Sequence, residues 1–252
     1  MATVSWVEYF YAHTRRAWHG KAVRLEQGRP ESAKIYSHAP WELAKRFVAA
    51  GAPRIHVVDL DAALSKGAKH NHDTIKKILE VAGKTEVEVG GGIRTLDACA
   101  RVLGLGARFV VMGTAAIKTP AVVKEACARY PKRVVVAVDA REGKVAVEGW
   151  KEDTTADALE IGRQMAGAGA VAVLYTDIGR DGMRTGPNLD ATARLAKAIH
   201  PCAVIASGGM ARLDDIHHVR KTGATSVVIG KALYEGAFTI EEALAAAAAR
   251  GK

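Results

Sequence analysis

The sequence predicts one α/β domain of the (β/α)8 TIM-barrel class, built from two similar half-barrels. Three observations carry that reading. Short β-branched runs alternate with amphipathic stretches along the chain, and their near-continuous hydrophobicity is what parallel strands covered on both faces require. The length, 252 residues, suits eight βα units in one domain. Residues 91–116 also lie on residues 208–233 at a constant offset of 117 without a gap, identical at 11 of 26 positions, among them Gly91/Gly208, Gly92/Gly209, Asp97/Asp214 and Gly113/Gly230. Self-similarity on that scale marks a half-barrel written twice. A doubly wound open sheet is the alternative architecture.

The strands predicted in order are RIHVVD (54–59), EVEVG (86–90), RFVVMG (108–113), RVVVAVD (133–139), VAVLYTD (171–177), CAVIAS (202–207) and TSVVIG (225–230). Between them WELAKRFVAAG, HDTIKKILEVAG, LDACARVLGLG, ATARLAKAIH and LDDIHHVRKTG read as helices, several stopping at a Gly that can take a left-handed conformation. The eighth strand is expected within residues 4–11, and residues 1–19 are the atypical part of the domain.

Composition narrows the function classes. A formal charge of +9 is spread over predicted helices, which describes a solvated basic surface compatible with a small anionic substrate and gives no ground for nucleic-acid binding. Cys99, Cys127 and Cys202 form no CxxC pair, so neither a disulfide framework nor a zinc site is expected, and a reducing cytoplasm is. The aromatic run TVSWVEYFY carries Glu8 and lacks a basic start, unlike a signal peptide. No run approaches the ~18 apolar residues of a membrane span. The nine histidines have no metal-ligand spacing, and His217-His218 is expected on a helix surface. No nucleophile elbow, Walker loop or dinucleotide fingerprint occurs in its required context, and no cofactor or metal is expected.

Paired glycines straight after a strand let backbone N–H groups approach an anion. Gly91-Gly92 and Gly208-Gly209 are each followed one βα unit later by a second turn, Gly113-Thr114 or Gly230-Lys231. Two phosphate cradles facing each other across the barrel mouth are therefore expected, suiting a ligand with a phosphate at each end. Taken singly, each glycine pair could serve only a tight turn. Catalytic groups in this fold come from the C-terminal ends of strands. That singles out Asp139, with pairing to Arg141 as its structural alternative. Thr176 and Asp177 end the VAVLYTD run before the loop IGRDGMRTGPN, which carries Asp181, and Asn188 is a helix cap candidate. Asp59 is a candidate for holding loop backbone. Trp150 could stack on a planar ring or cover the mouth.

Taken together, HVVDLDAA, VEVGGGIRTLDA, VVMGTAA, VAVDAREGKVAVEGW, YTDIGRDGMRTGPN, VIASGGM and VVIGKALYEG resemble the phosphoribosylformimino-aminoimidazole-carboxamide ribonucleotide isomerase family of histidine biosynthesis, from about Gly20 to Phe238. The resemblance implies a bisphosphorylated small-molecule substrate and an Amadori rearrangement of an aminoaldose to an aminoketose, in a cytoplasmic monomer. It implies an acid at Asp181, sugar-orienting groups at Asp139 and Thr176, substrate-binding residues at Arg24, Arg94 and Trp150, and phosphate-binding backbone at Gly92, Thr114, Gly209 and Gly230, with Gly91, Gly113, Gly208 and Lys231 beside them. Same-fold alternatives are the cyclase subunit of imidazole glycerol phosphate synthase, which the TGPN and EGW loops fit less well, and an isomerase that also accepts phosphoribosylanthranilate.

One family feature is missing. The first strand should end in an Asp four residues before Gly20, where the chain has Arg16; laying Gly20-Lys21 on Gly143-Lys144 also sets Arg16 opposite Asp139. Arginine stays protonated and cannot serve as a base. The first 18 residues hold 5 of the 14 aromatics. Two readings follow: a substituted first strand on an otherwise intact barrel, binding ligand without turnover, or a shifted strand VSWVE (4–8) with Glu8 as base. Arg15 and Arg16 inside a barrel strand would leave the barrel marginal or partly open.

Overall fold

The sheet is built from strands that the chain visits in order around a curved surface. The computed structural model describes residues 10–12, 21–26, 29–65, 67 and 69–249. Its strands are β1 (Phe10–Ala12), β2 (Ala22–Glu26), β3 (Arg29–Ser37), β4 (Arg54–Val58), β5 (Glu86–Gly90), β6 (Phe109–Met112), β7 (Val134–Arg141), β8 (Lys144–Val147), β9 (Glu152–Asp157), β10 (Ala172–Asp177), β11 (Ala203–Ser207) and β12 (Ser226–Val227). Eight of them, β1, β4, β5, β6, β7, β10, β11 and β12, pair in that sequence and all in parallel. All seven strands expected after residue 50 are present, and the helices lie where the amphipathic runs put them, among them His72–Ala82, Leu96–Gly104, Leu189–Ile199 and Leu213–Lys221.

Side chains alternate across each strand, and that alternation sorts the core into two layers. Phe109, Val111, Val135, Ala172, Leu174, Ile205 and Val228 make an inner cluster that, among the described residues, takes only Leu60 from a helix. Ile55, Val57, Val87, Val89, Val134, Val136, Val173 and Val204 form the outer layer with Ile75, Ile78, Val102, Leu195 and Val219 of the helices. An interior filled by strand residues beneath a shell of helices is the barrel plan. Helix ends obey the repeat: Gly106 and Gly223, at matched positions, take φ of +111° and +89°. Among the described residues no helix is long and apolar enough to cross a membrane.

Two features depart from the sequence reading. The first strand of each half continues into an antiparallel arm, β1–β2–β3 and β7–β8–β9, which the apolar runs do not predict. The first barrel strand lies at Phe10–Ala12, at the C-terminal limit of the 4–11 window; VSWVE, Glu8, Arg15 and Arg16 lie outside the described residues.

The pairing gives a different residue for the place that counting assigned to Arg16, which itself lies outside the described residues. When HVVD (56–59) is laid on LYTD (174–177), Val58 matches Thr176; Thr176 pairs with Asp139, and Val58 pairs with Tyr11. The arms agree: Ala140 pairs with Val145 and Ala12 with Ala22, and Ala22 matches Val145 in the repeat. Both links set Tyr11 at the place of Asp139. Counting back from Gly20 gave Arg16 because it assumed a tight hairpin; the connection runs through residues 13–21 in the first half, against 141–144 in the second.

Candidate active site

The C-terminal ends of β4 to β7 and β10 surround a cavity of about 140 Å³, walled by His56, Arg94, Gly91, Gly92, Gly113, Thr114, Asp139, Trp150 and Thr176 among others. A smaller depression, on the side of β11 and β12, is lined by Asp181, Arg184, Gly208, Gly209, Gly230 and Lys231. The turns expected to form the two cradles thus line two separate concavities, four barrel strands apart.

The glycine pairs are demanded by backbone crowding. Gly91, Gly92, Gly208 and Gly209 have φ of +95°, +69°, +90° and +84°. A Cβ on Gly91 would stand 2.7 Å from the backbone N and C of Asp59, and one on Gly208 would stand 2.7 Å from the carbonyl oxygen of Asp177, its repeat mate. Gly91→Ala combines a left-handed backbone cost of about 1–2 kcal/mol with a collision against main chain that cannot rotate away. It is expected to lower Tm by at least about 4 °C in a thermal melt.

Asp59 and Asp177 tie the loops that carry these glycines. Asp59 accepts hydrogen bonds from the backbone N–H of Ala62 (3.1 Å) and Asn71 (2.8 Å) and from the Asn71 amide (2.8 Å). Asp177 accepts from Arg180 N–H (3.2 Å) and from the Asn188 amide (2.7 Å), while Asn188 caps the helix Leu189–Ile199 by accepting from Ala191 N–H. Both carboxylates act on backbone and loop amides, the structural role expected of Asp59.

Asp139 is differently placed. Arg141 is engaged by Asp153 at 2.7 Å, so the pairing that would have made Asp139 structural is absent. The carboxyl receives hydrogen bonds from the Trp150 indole and the Thr176 hydroxyl. Burial pushes it above the ordinary carboxylate range; those two bonds and neighbouring His56 oppose the shift, and the Asp181 carboxylate adds to it. Thr176, almost fully buried, sits beside Asp139 in register. Asp181 is buried as well, its N–H held by the carbonyl of Asp177 at 3.0 Å. Asp139 and Asp181 therefore lie in different concavities yet close enough to raise the proton affinity of Asp139.

Trp150 belongs to a loop in which Glu148, Gly149 and Trp150 all take positive φ, +58°, +67° and +67°, a conformation that non-glycine residues hold only under outside constraint. The constraint comes partly from the first cradle: Glu148 N–H donates to Thr114 Oγ1 at 3.1 Å, and Lys118 grips Glu148 and Glu152 at 3.1 and 2.8 Å. Neither expectation for Trp150 anticipated its bond to Asp139. Arg94 reaches Ala63 O through Nη2 at 3.0 Å, leaving Nε and Nη1 buried with no partner among the described residues. Unsatisfied guanidinium donors cost free energy unless an acceptor arrives, and both Arg94 and Gly92 line this cavity. Arg24 lies on β2 opposite Lys34, and Glu8 lies outside the described residues. Of the residues lining the cavity, sequence reasoning missed His56; the available signal was a polar residue at an inward position of an apolar strand.

A model of the histidine biosynthesis protein family matches residues 18–239. The chain belongs to the histidine biosynthesis protein family. Curated relatives agree: the chain is 46% identical over 231 residues to the 1-(5-phosphoribosyl)-5-((5-phosphoribosylamino)methylideneamino) imidazole-4-carboxamide isomerase of Desulfatibacillum aliphaticivorans, covering 90% of this chain and 91% of the relative. It is 47% identical over 232 residues to the enzyme of the same name from Moorella thermoacetica, covering 91% and 94%. For that of Thiobacillus denitrificans the figure is 46% over 228 residues, covering 89% and 90%. The match to the histidine biosynthesis family begins just before Gly20, so Glu8, Tyr11 and Arg16 all precede it.

Proposed function

We propose that the chain is an aldose–ketose isomerase of histidine biosynthesis, acting on the aminoaldose named for its relatives. The observation that carries this reading is the pair of concavities, each with a glycine pair and a basic side chain, on either side of the Asp139–Thr176 ledge. One phosphate is assigned to Gly92, Thr114 and the unpartnered donors of Arg94, and the other to Gly209, Gly230 and Lys231, with Arg24 and Trp150 completing substrate binding. Asp181 protonates the ribose ring oxygen as the ring opens to a Schiff base, Asp139 and Thr176 orient the sugar, and a base removes the proton from C2, after which C1 is protonated to give the aminoketose. No cofactor enters this scheme. Glu8, the one carboxylate among residues 1–25, is the proposed base. Both cradles come from one chain, consistent with a monomer, and the three free cysteines suit a reducing cytoplasm.

The second reading, a barrel that binds the bisphosphate without turnover, is motivated by the register that sets Tyr11 where Asp139 has its repeat mate. An isomerisation assay on the parent and Glu8→Gln proteins, paired with calorimetric titration of the substrate, separates the two. Turnover abolished by Glu8→Gln supports the first, and binding without turnover in the parent supports the second.

A further inference from the structure

We infer that Glu88 is a positioning residue that fixes the proton of His56 on Nδ1 and holds the ring so that Nε2 serves the substrate cavity; this deepens the isomerase reading and rests on it. His56 and Glu88 are cross-strand neighbours on β4 and β5, 2% and 0% exposed, with Nδ1 2.7 Å from Glu88 Oε1. The other carboxylate oxygen of Glu88 accepts from Arg54 Nη1 at 3.3 Å. Arg54 is itself held by Glu86 at 2.8 Å and lies 4.2 Å above the Phe109 ring. A carboxylate so paired can only accept, so the hydrogen of the short contact belongs to Nδ1, as in the carboxylate–histidine arrangements that fix tautomers. His56 lines the cavity that Asp139 and Thr176 also line, and it acts electrostatically on Asp139.

A purely structural ion pair is argued against by the molecule's other half. The repeat mates of Arg54, His56 and Glu88 are Ala172, Leu174 and Ile205; Leu174 pairs with Ile205 in the register that joins His56 to Glu88, and all three pack in the apolar inner cluster. The barrel therefore fills this layer with hydrocarbon when packing alone is at stake. Burying a charged pair in its place costs desolvation that apolar side chains avoid.

The test uses the full chain. Ring 15N signals of His56 in the ligand-free parent are expected to show a protonated Nδ1, and Glu88→Gln to disturb that tautomer and lower kcat by about 10–100-fold with little change in KM, the loss typical of outer-shell partners. Because Glu88→Gln could fail to fold around Arg54, the double variant His56→Leu/Glu88→Ile, which copies the second half, is measured beside it. It is expected to melt at or above the parent temperature yet lose kcat to at least the same degree. A parent Nδ1 without a proton, or parental kcat in the well-folded double variant, overturns the inference. The spectrum needs no turnover, so an inactive parent refutes the isomerase reading alone and leaves the Nδ1 assignment to be judged on its own signal.

Discussion

Asp181→Asn is expected to lower kcat by about 10²–10⁴-fold, the range for loss of a general acid, and to leave the affinity for the bisphosphorylated substrate within a few-fold of the parent. The carboxyl is buried, its backbone is tied to Asp177, and it stands in the wall of the second cradle. Asn fills the same volume and can still hydrogen-bond but delivers no proton to the ring oxygen. Steady-state kinetics with calorimetric binding give the two numbers; a loss of affinity as large as the loss of kcat would make Asp181 a binding residue. Asp59→Asn serves as the contrast, since among the described residues the hydrogen bonds of that carboxylate run to the backbone N–H groups of Ala62 and Asn71 and to the Asn71 amide. Its expected effect is on Tm, through loosened loops, more than on kcat.

Asp139→Asn is expected to raise Tm at neutral pH while removing turnover. Burial raises the Asp139 carboxyl above its ordinary value, so the folded chain binds that proton more tightly than the unfolded chain does. Stability from this group is then fully present below the unfolded carboxylate value of about 3.9 and is lost as pH rises through the folded value. Asn carries no charge at any pH and escapes the loss. The difference in Tm between variant and parent should therefore grow in the variant's favour from acid toward neutral pH. Paired melts across that range check it, and a difference that does not change with pH would show that burial of the Asp139 charge carries no stability cost. A stabilising change at a site needed for chemistry is the usual mark of a strained functional position.

Much of this was legible in the sequence, for identifiable reasons. Strands such as VVVAVD and AVIAS are buried on both faces and so are written as unbroken apolar runs, and the glycine pairs stand out because only glycine tolerates the approach of Asp59 and Asp177. Of the arm strands, EDTTAD (152–157) escaped because it is exposed or half-exposed along its length and its composition reads as loop, and KVAV (144–147), although three of its four residues are buried, is too short to stand out as a run. His56 and Glu88 escaped because each looks like an isolated polar residue until the β4–β5 register joins them. Arg16 was placed by counting along a chain whose first connection is longer than its repeat mate, and only strand pairing brings Tyr11 to that place.

The most direct measurement is incubation of the purified chain with its aminoaldose bisphosphate in D2O, followed by NMR of the sugar carbons. Removal of the C2 proton and reprotonation at C1 predict an aminoketose carrying solvent deuterium at C1, with the signal lost in Asp181→Asn and Glu8→Gln. Bound substrate that stays an aldose, with no deuterium at C1, would contradict catalysis and leave a barrel that binds the bisphosphate without turning it over.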